Sequence, residues 1–423
     1  MRPIREIPQE LLAAAERGLD RLRTTITIDD TQLRLYNAGM LRGKIRFGLF
    51  ARDLLTTALM LWDERFSEEA IRFALLTMGK RKDPLTGEEP GRVIHEFNEV
   101  EIRGLKTRYN AAETSQLLLV ASADYLRISG DRSLAERYGH GLKAALDYIL
   151  SHIRGGLFWE DPSICGARRY ALRATYWKDS HLPGREDPAY PVAYSLVQAQ
   201  TAAALRAAAE LAETADLGLS PAELEGQATK ILRALLDELW DRDLDYPLIA
   251  KDQIGPISGI SSDGLHLLAY LRPGDLPRAK LEAICAASRS LETPYGFRTY
   301  APGQPARRTP KGWTARSDPA YAPTAYHLGA IWPFEQFFIA KGAAIHGREH
   351  VLEVALRVRN ALERLGFPEL CYWDEQRGLR GPGEVPGEGC DLQLWSLAWP
   401  RAIARLAQEG HSPSLFRVAR IDP

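Results

Sequence analysis

Long segments carrying apolar residues every three or four positions dominate the chain, and no other feature restricts its fold so strongly. They fall at roughly 7–23, 49–65, 67–79, 111–129, 132–153, 189–214, 220–240, 262–272, 275–289, 324–346, 347–364 and 391–408. Each reads as a helix that must bury an apolar face. Ser220-Pro221-Ala222-Glu223 adds a capping box with proline in the first turn. Some links are very short, such as Ser67 after Phe66 and Pro273-Gly274-Asp275, which favours antiparallel neighbours. Twelve segments in consecutive pairs predict an all-α chain built as a ring of six helical hairpins, an (α/α)6 toroid, with residues 1–423 as a single catalytic domain. The alternative is an open helical solenoid, which needs a repeat of fixed length, and the sequence has none.

Stretches without helical periodicity separate the pairs at 24–48, 80–110, 155–188, 241–261, 292–323 and 365–390. They are rich in Gly, Pro, polar and aromatic residues. Loops longer than about 15 residues are uncommon without a function. Recurring at one end of successive hairpins, these are expected to form the rim of a pocket.

The charge balance excludes some partners. Lys plus Arg number 54 and Asp plus Glu 55, so neither nucleic acid nor an anionic membrane is expected. No apolar run approaches the roughly 20 residues of a membrane span, and Met1-Arg-Pro-Ile-Arg lacks an apolar signal core. The four cysteines, Cys165, Cys285, Cys371 and Cys390, are scattered, so a cytoplasmic protein with reduced thiols and no Cys371–Cys390 bridge is expected. A homo-oligomer stays open. Phosphate-binding and nucleophile-elbow motifs are missing, His95-Glu96 has no second histidine four residues on, and the nine histidines do not cluster at ligand spacing. No metal or cofactor is therefore expected.

Several polar clusters stand where loops meet helices. In Tyr176-Trp177-Lys178-Asp179-Ser180 an acid adjoins an indole. An apolar wall raises a carboxyl's pKa and makes it a proton donor. A loop aspartate capping a turn is the plainer reading and, taken alone, the favoured one. In Phe367-Pro368-Glu369-Leu370-Cys371-Tyr372-Trp373 a glutamate has apolar and aromatic neighbours, which costs free energy unless the group is paired or used. The alternative there is a solvent-facing residue on an edge strand. Arg52-Asp53 opens an apolar helix, where the acid suits the helix dipole and also a grip on two sugar hydroxyls. Arg108-Tyr109-Asn110 with Glu113 and Gln116 opens another helix, Tyr326-His327 through Trp332-Pro333-Phe334-Glu335 a third, and Gln393, Trp395 and Ser396 the last. Aromatic planes and fixed polar groups on one rim are what a sugar pocket needs. Each aromatic by itself is more often plain core.

In order, these segments resemble the glucosidase domain of glycogen-debranching enzymes, the amylo-α-1,6-glucosidases, and their six-hairpin relatives in glycoside hydrolase family 63. Arg52-Asp53 looks like the family's R-D, Arg108-Tyr109-Asn110 with Glu113 like R-Y-N-x-x-D/E, and Trp177-Lys178-Asp179 like W-M-D. Tyr326-His327 through Trp332-Pro333 resembles Y-H-x-G-x-x-W-P, Pro368-Glu369-Leu370 resembles P-E-L, and Gln393-Leu394-Trp395-Ser396 resembles Q-A-W-S. Each motif is short, but six keep their order from residue 52 to 396. The resemblance implies the toroid, an inverting glycosidase with no cofactor, Asp179 as general acid and Glu369 as general base. An inverting pair sits about 6.5–9.5 Å apart to admit a water. Arg52, Asp53, Tyr109, Asn110, Glu113, Gln116, Trp177, Arg185, Tyr326, Trp332, Gln393 and Trp395 would bind the substrate.

The chain departs from the family pattern in places. Lys178 stands where methionine is usual, the stretch from Glu369 to Gln393 is longer than usual, and Pro183-Gly184-Arg185-Glu186-Asp187 matches P-R-D-G loosely. An α-glucoside or related small oligosaccharide is the expected substrate. The alternative is a small charged glycoside such as mannosylglycerate or glucosylglycerate. Arg307, Arg308, Lys311 and Arg316 in 303–320 would suit its carboxylate as a flap, or simply form a solvated loop. A sugar-binding protein without catalysis is the rival from another class.

Overall fold

The computed structural model describes residues 6–180, 182, 183, 185, 187–300, 326, 327, 329–384 and 389–409. The basic stretch 303–320 lies outside the described residues. The helices are α1 (Gln9–Leu22), α2 (Ala51–Leu61), α3 (Glu64–Leu76), α4 (Thr114–Ser129), α5 (Ser133–Ser151), α6 (Ser195–Leu211), α7 (Pro221–Glu238), α8 (Asp263–His266), α9 (Arg278–Ala287), α10 (Pro333–Ile345), α11 (Glu349–Leu356), α12 (Val358–Leu365) and α13 (Leu394–Glu409). A 3-10 turn, Leu267–Tyr270, continues α8. None of these helices is long and apolar enough to cross a membrane.

Two kinds of helix follow from the apolar pattern. All eleven residues of α2 are buried, and α10 is buried from Pro333 to Ala343. A helix with apolar residues on every face belongs inside, and the polar groups it carries must then find partners there. In α1 the buried residues Leu11, Ala15, Gly18, Leu19 and Leu22 instead form one stripe. The enclosed helices touch in a closed circuit: α2 packs on α4, α4 on α6, α6 on α8 and its 3-10 turn, these on α10, α10 on α13, and α13 back on α2. Outside them α3 packs on α2, α5 on α4, α7 on α6, α9 on α8, α11 on α10 and α1 on α13. One hydrophobic core takes in buried side chains from every helix. Gly342 permits a close approach in it: a Cβ there would come within 2.8 Å of the Ala269 backbone nitrogen.

Helix ends differ from the expected ones for local reasons. The break between α2 and α3 falls at Trp62-Asp63, because Trp62 takes a left-handed conformation (φ 47°) and the Asp63 carboxylate caps the Phe66 N–H. The helix expected from 189 begins at Ser195, since Ala193–Tyr194 pairs as a strand with Ala250–Lys251. The one expected from 324 begins at Pro333, where proline suits the first turn. The capping box at Ser220 forms as expected.

The chain is mostly helical but not all-α, because short antiparallel pairings occupy the stretches between helices. Arg23–Ile28 pairs with Thr31–Tyr36, and Gly39–Leu41 pairs with both Lys44–Phe47 and Leu392–Gln393. Arg-Thr-Thr-Ile-Thr-Ile carried a β-branched signal. Two-residue pieces are too short to show a period of two.

Candidate active site

A cavity of about 860 Å³ opens where α2, α10 and α13 begin. Its walls come from the stretches around 37–53, 95–107, 172–180 and 326–332, with Glu369, Gln393 and Trp395. Residues 241–261 contribute none of the described lining.

Arg52 organises one side. It lies in the first turn of α2 and is 4% exposed. Its Nε donates to Glu113 Oε1 at 2.5 Å, its Nη1 to Asp179 Oδ2 at 2.7 Å, and its Nη2 to the Thr175 carbonyl at 3.0 Å. One planar guanidinium thus holds two carboxyls and the backbone leading to one of them. Burial pushes the Asp179 carboxyl up, and Arg52 opposes that by favouring the charge. The Asp179 side chain keeps 23% exposure, so it stays reachable from the cavity.

Two neutral imidazoles flank Asp179. Burial holds both His95 and His327 well below the usual histidine value, with the Arg52 cation adding to it. Arg52 Nη1 lies 3.3 Å from His95 Nε2, so this nitrogen accepts and the proton sits on Nδ1. His95 Nε2 is 3.6 Å from Asp179 Oδ2. The Ser180 N–H donates to His327 Nδ1 at 3.3 Å, which puts that ring's proton on Nε2, 3.9 Å from Asp179 Oδ1.

Buried polar groups fix the backbone before Asp179. Asp263 accepts from Trp177 Nε1 at 3.1 Å and the Tyr176 hydroxyl at 3.3 Å, and pairs with Lys178 Nζ at 3.0 Å. Three consecutive side chains therefore end on one carboxylate. Lys178 also donates to Ser262 Oγ at 3.1 Å.

Glu369 stands on a differently built side. Its Oε1 accepts from the Tyr326 hydroxyl at 2.5 Å and its Oε2 from the Cys390 N–H at 2.8 Å. Burial raises its carboxyl to about 7 against these two donors, and the charge of Asp179 adds to the rise. The Cys371 and Cys390 thiols are free and buried. Gln393 Nε2 donates to Asp53 Oδ1 at 3.0 Å, and burial pushes the Asp53 carboxyl well above its usual range. Gly39 is required beside Gln393, because a Cβ there would collide with Gln393 Oε1 and Cys390 Sγ. Behind these groups His327 stacks on Trp332 at 5.0 Å, Trp177 meets Trp332 edge-on at 5.6 Å, and Phe334 stacks on Trp395 at 4.2 Å.

Of the residues singled out in the sequence, Arg52, Asp53, Trp177, Asp179, Tyr326, Trp332, Glu369, Gln393 and Trp395 meet in the cavity. The others do not line it. Glu113 lies behind Arg52, and Gln116 faces Thr201 between α4 and α6. Tyr109 donates to the Thr77 carbonyl within the core. Asn110 Oδ1 accepts from the Ala171 and Leu172 N–H groups, and Arg185 pairs with Asp252. Sequence reasoning passes over Arg46, Phe50, His95, Glu96, Thr107, Ser180 and His327 as binding residues, and all of them line the cavity. In sequence, His95-Glu96 reads only as half of a zinc motif. Among the described residues no group of three His, Cys, Asp or Glu could hold a metal.

On this mostly helical frame, an aromatic-walled cavity thus brings several carboxyls together. Residues 128–384, more than half the chain, match the family described as the mannosylglycerate hydrolase MGH1-like glycoside hydrolase domain, and the chain belongs to that family. The fold is similar to that of the GH63 mannosylglycerate hydrolase from Thermus thermophilus in complex with glucose, with a TM-score of 0.61 at 17% identity, covering 93% of this chain and 100% of that one. The same enzyme in complex with Tris and D-glycerate gives 0.59 at 16% identity, again over 93% and 100%. A rhamnosidase from Klebsiella oxytoca with rhamnose bound gives 0.58 at 13% identity over 96% of this chain and 66% of that one. No curated protein sequence matches the chain.

Proposed function

We propose that the chain, a single (α/α)6 toroid, hydrolyses a small glycoside with inversion, and that the alcohol it releases is small and charged, as in a mannosyl- or glucosylglycerate. The observation that carries the chemistry is that Asp179 and Glu369 line one cavity with different partners. Asp179 is the general acid. Arg52 occupies its Oδ2, so the proton rides on Oδ1. Glu369 is the general base. Both its oxygens accept hydrogen bonds, and each keeps a lone pair that can take a proton from water. Proton donation to the leaving oxygen and activation of water on the opposite face of the sugar complete one inverting displacement. Asp53 and Gln393 hold the sugar hydroxyls, while Trp177, Trp332 and Trp395 give it a flat apolar wall.

Family membership supports the glycerate-type substrate over the amylo-α-1,6-glucosidase reading, and it speaks against a non-catalytic sugar binder. The second substrate class is an α-linked gluco-oligosaccharide. It is favoured by the cavity volume of about 860 Å³, near the upper end of small-molecule sites. The test is a panel of glucosyl- and mannosylglycerates beside isomaltose-type disaccharides, followed by NMR of the first anomer released. The expected result is turnover of a glycerate glycoside with inverted configuration. Retained configuration would remove the mechanism. Turnover of the disaccharides alone would remove the substrate assignment.

A further inference from the structure

One lining carboxyl is used neither by the two-acid chemistry nor by the Asp53–Gln393 pair. Glu96 is 7% exposed and faces the cavity. Its backbone is pinned to the start of α2: Glu96 bridges Phe50, the Ala51 N–H donates to the His95 carbonyl at 2.9 Å, and the Phe97 N–H donates to the Leu49 carbonyl at 2.9 Å. The Thr107 hydroxyl donates to its Oε1. Among the described residues its Oε2 accepts no hydrogen bond, and it is not sealed away from the cavity.

Its place relative to the acid is set by one imidazole. His95 Nδ1 lies 3.9 Å from Glu96 Oε1, while its Nε2 lies 3.6 Å from Asp179 Oδ2. Glu96 is therefore one ring away from Asp179. Asn98, Val100 and Leu172 line the same cavity, whereas Glu369 stands among Tyr326 and the Cys390 N–H.

We propose that Glu96 is a specificity residue for the leaving group, whose open Oε2 accepts a hydrogen bond from a hydroxyl of the departing alcohol and so selects polyhydroxylated leaving groups over apolar ones. The inference rests on Asp179 as the acid, because that places Glu96 on the side from which the alcohol departs. A nearly buried acceptor without a donor is costly, and a neighbouring hydroxyl on the leaving group supplies the donor. Burial raises the Glu96 carboxyl to about 7, so near neutral pH the group is partly ionised and accepts from a hydroxyl more strongly than a neutral oxygen does. Val100 and Leu172 give the carbon face of the same alcohol an apolar surface.

The experiment compares kcat/KM of the wild type, Glu96→Leu and Glu96→Gln on three glycosides of one sugar. The leaving groups are glycerate, glycerol and 4-nitrophenol. Loss of one hydrogen bond to a charged group predicts a drop of roughly 10- to 100-fold for Glu96→Leu on the glycerate and glycerol glycosides. Less than about threefold is expected on the nitrophenyl glycoside, which has no hydroxyl to offer. Glu96→Gln, whose single oxygen can serve either Thr107 or the alcohol while its NH2 takes the other place, should fall between. Equal losses on all three would show that Glu96 acts through Asp179, and no loss on the first two would show that it touches nothing; either overturns the proposal. If the wild type cleaves none of them, the proposed substrate class fails separately. Saturation-transfer NMR with free D-glycerate and with isomaltose then decides on Glu96: signal lost in Glu96→Leu supports the proposal, and signal unchanged overturns it.

Discussion

The Asp179 and Glu369 sides of the cavity hold their carboxyls by different physics. Asp179 lies against a buried guanidinium that also serves Glu113, and two neutral histidines close around it. Glu369 accepts hydrogen bonds from neutral groups, a phenol hydroxyl and a backbone N–H, with the Arg46 cation acting on it from farther off. Burial raises both groups. A directly bonded cation opposes it at Asp179, whereas at Glu369, which reaches about 7, two dipoles oppose it first and the Arg46 cation after them. The charged side is consequently sensitive to loss of any member, because each removal leaves a buried charge alone. The neutral side tolerates change, and its effects should surface in pH dependence.

The largest expected effect tests the division of roles. Asp179→Asn and Glu369→Gln should each lower kcat on an unactivated glycoside by roughly 10²–10⁴-fold with the fold intact. On an aryl glycoside, whose leaving group needs little protonation, Asp179→Asn should recover most of its rate. Glu369→Gln should not, although azide can attack in place of the activated water. Steady-state kinetics on both substrates check this, and the opposite pattern of rescue reverses the roles.

Removing the cation comes next. Arg52→Met leaves Glu113, 2% exposed, without its partner, and should cost about 3–5 kcal/mol of unfolding free energy. Burial already raises the Glu113 carboxyl, and without the opposing Arg52 cation it rises further. A folded-state pKa above the unfolded one gives stability at low pH that is lost as pH rises. The deficit in urea melts should therefore grow from pH 5 to pH 8, and a pH-independent deficit would contradict the paired-carboxyl account.

The anchor before Asp179 should be milder. Lys178→Met removes the buried ammonium but leaves Asp263 with its hydrogen bonds from Trp177, Tyr176 and Ser261. We expect about 1–3 kcal/mol of lost stability, with kcat lowered more than KM is raised. Thermal melts and kinetics check both. A change in KM alone would mean that the anchor serves binding and not the acid.

The smallest effect belongs to the neutral side. The Tyr326 hydrogen bond lowers the Glu369 carboxyl against burial, so its loss raises that group further. The acidic limb of kcat/KM, expected near pH 7 in the wild type, should move to higher pH in Tyr326→Phe. Stability should change by only about 1 kcal/mol, since the Cys390 N–H and water remain. A limb that stays in place, or moves down, would separate it from Glu369.

Much of this was legible in the residues. The helical segments, the capping box at Ser220 and the acids Asp179 and Glu369 with their aromatic neighbours all stand out along the chain. Such features depend on neighbours within a turn or two, and the apolar period records them directly. It could not record which polar residues at the helix starts look inward. Tyr109, Asn110 and Gln116 are as polar and as well placed in sequence as Gln393, yet they bond to the core and to neighbouring loops. His95 and Glu96 carried no helical signal and only half of a motif, yet a bridge to Phe50 lays them in the cavity. The decisive contacts, Arg52 to Asp179 across 127 positions and Asp53 to Gln393 across 340, join segments that leave no periodic trace in each other. Sequence alone thus determined most of the helical elements and pointed to many of the groups that meet in the cavity. Tertiary structure decided the protonation environment of those groups, because burial and the reach of one guanidinium exist only after distant loops close on the same cavity.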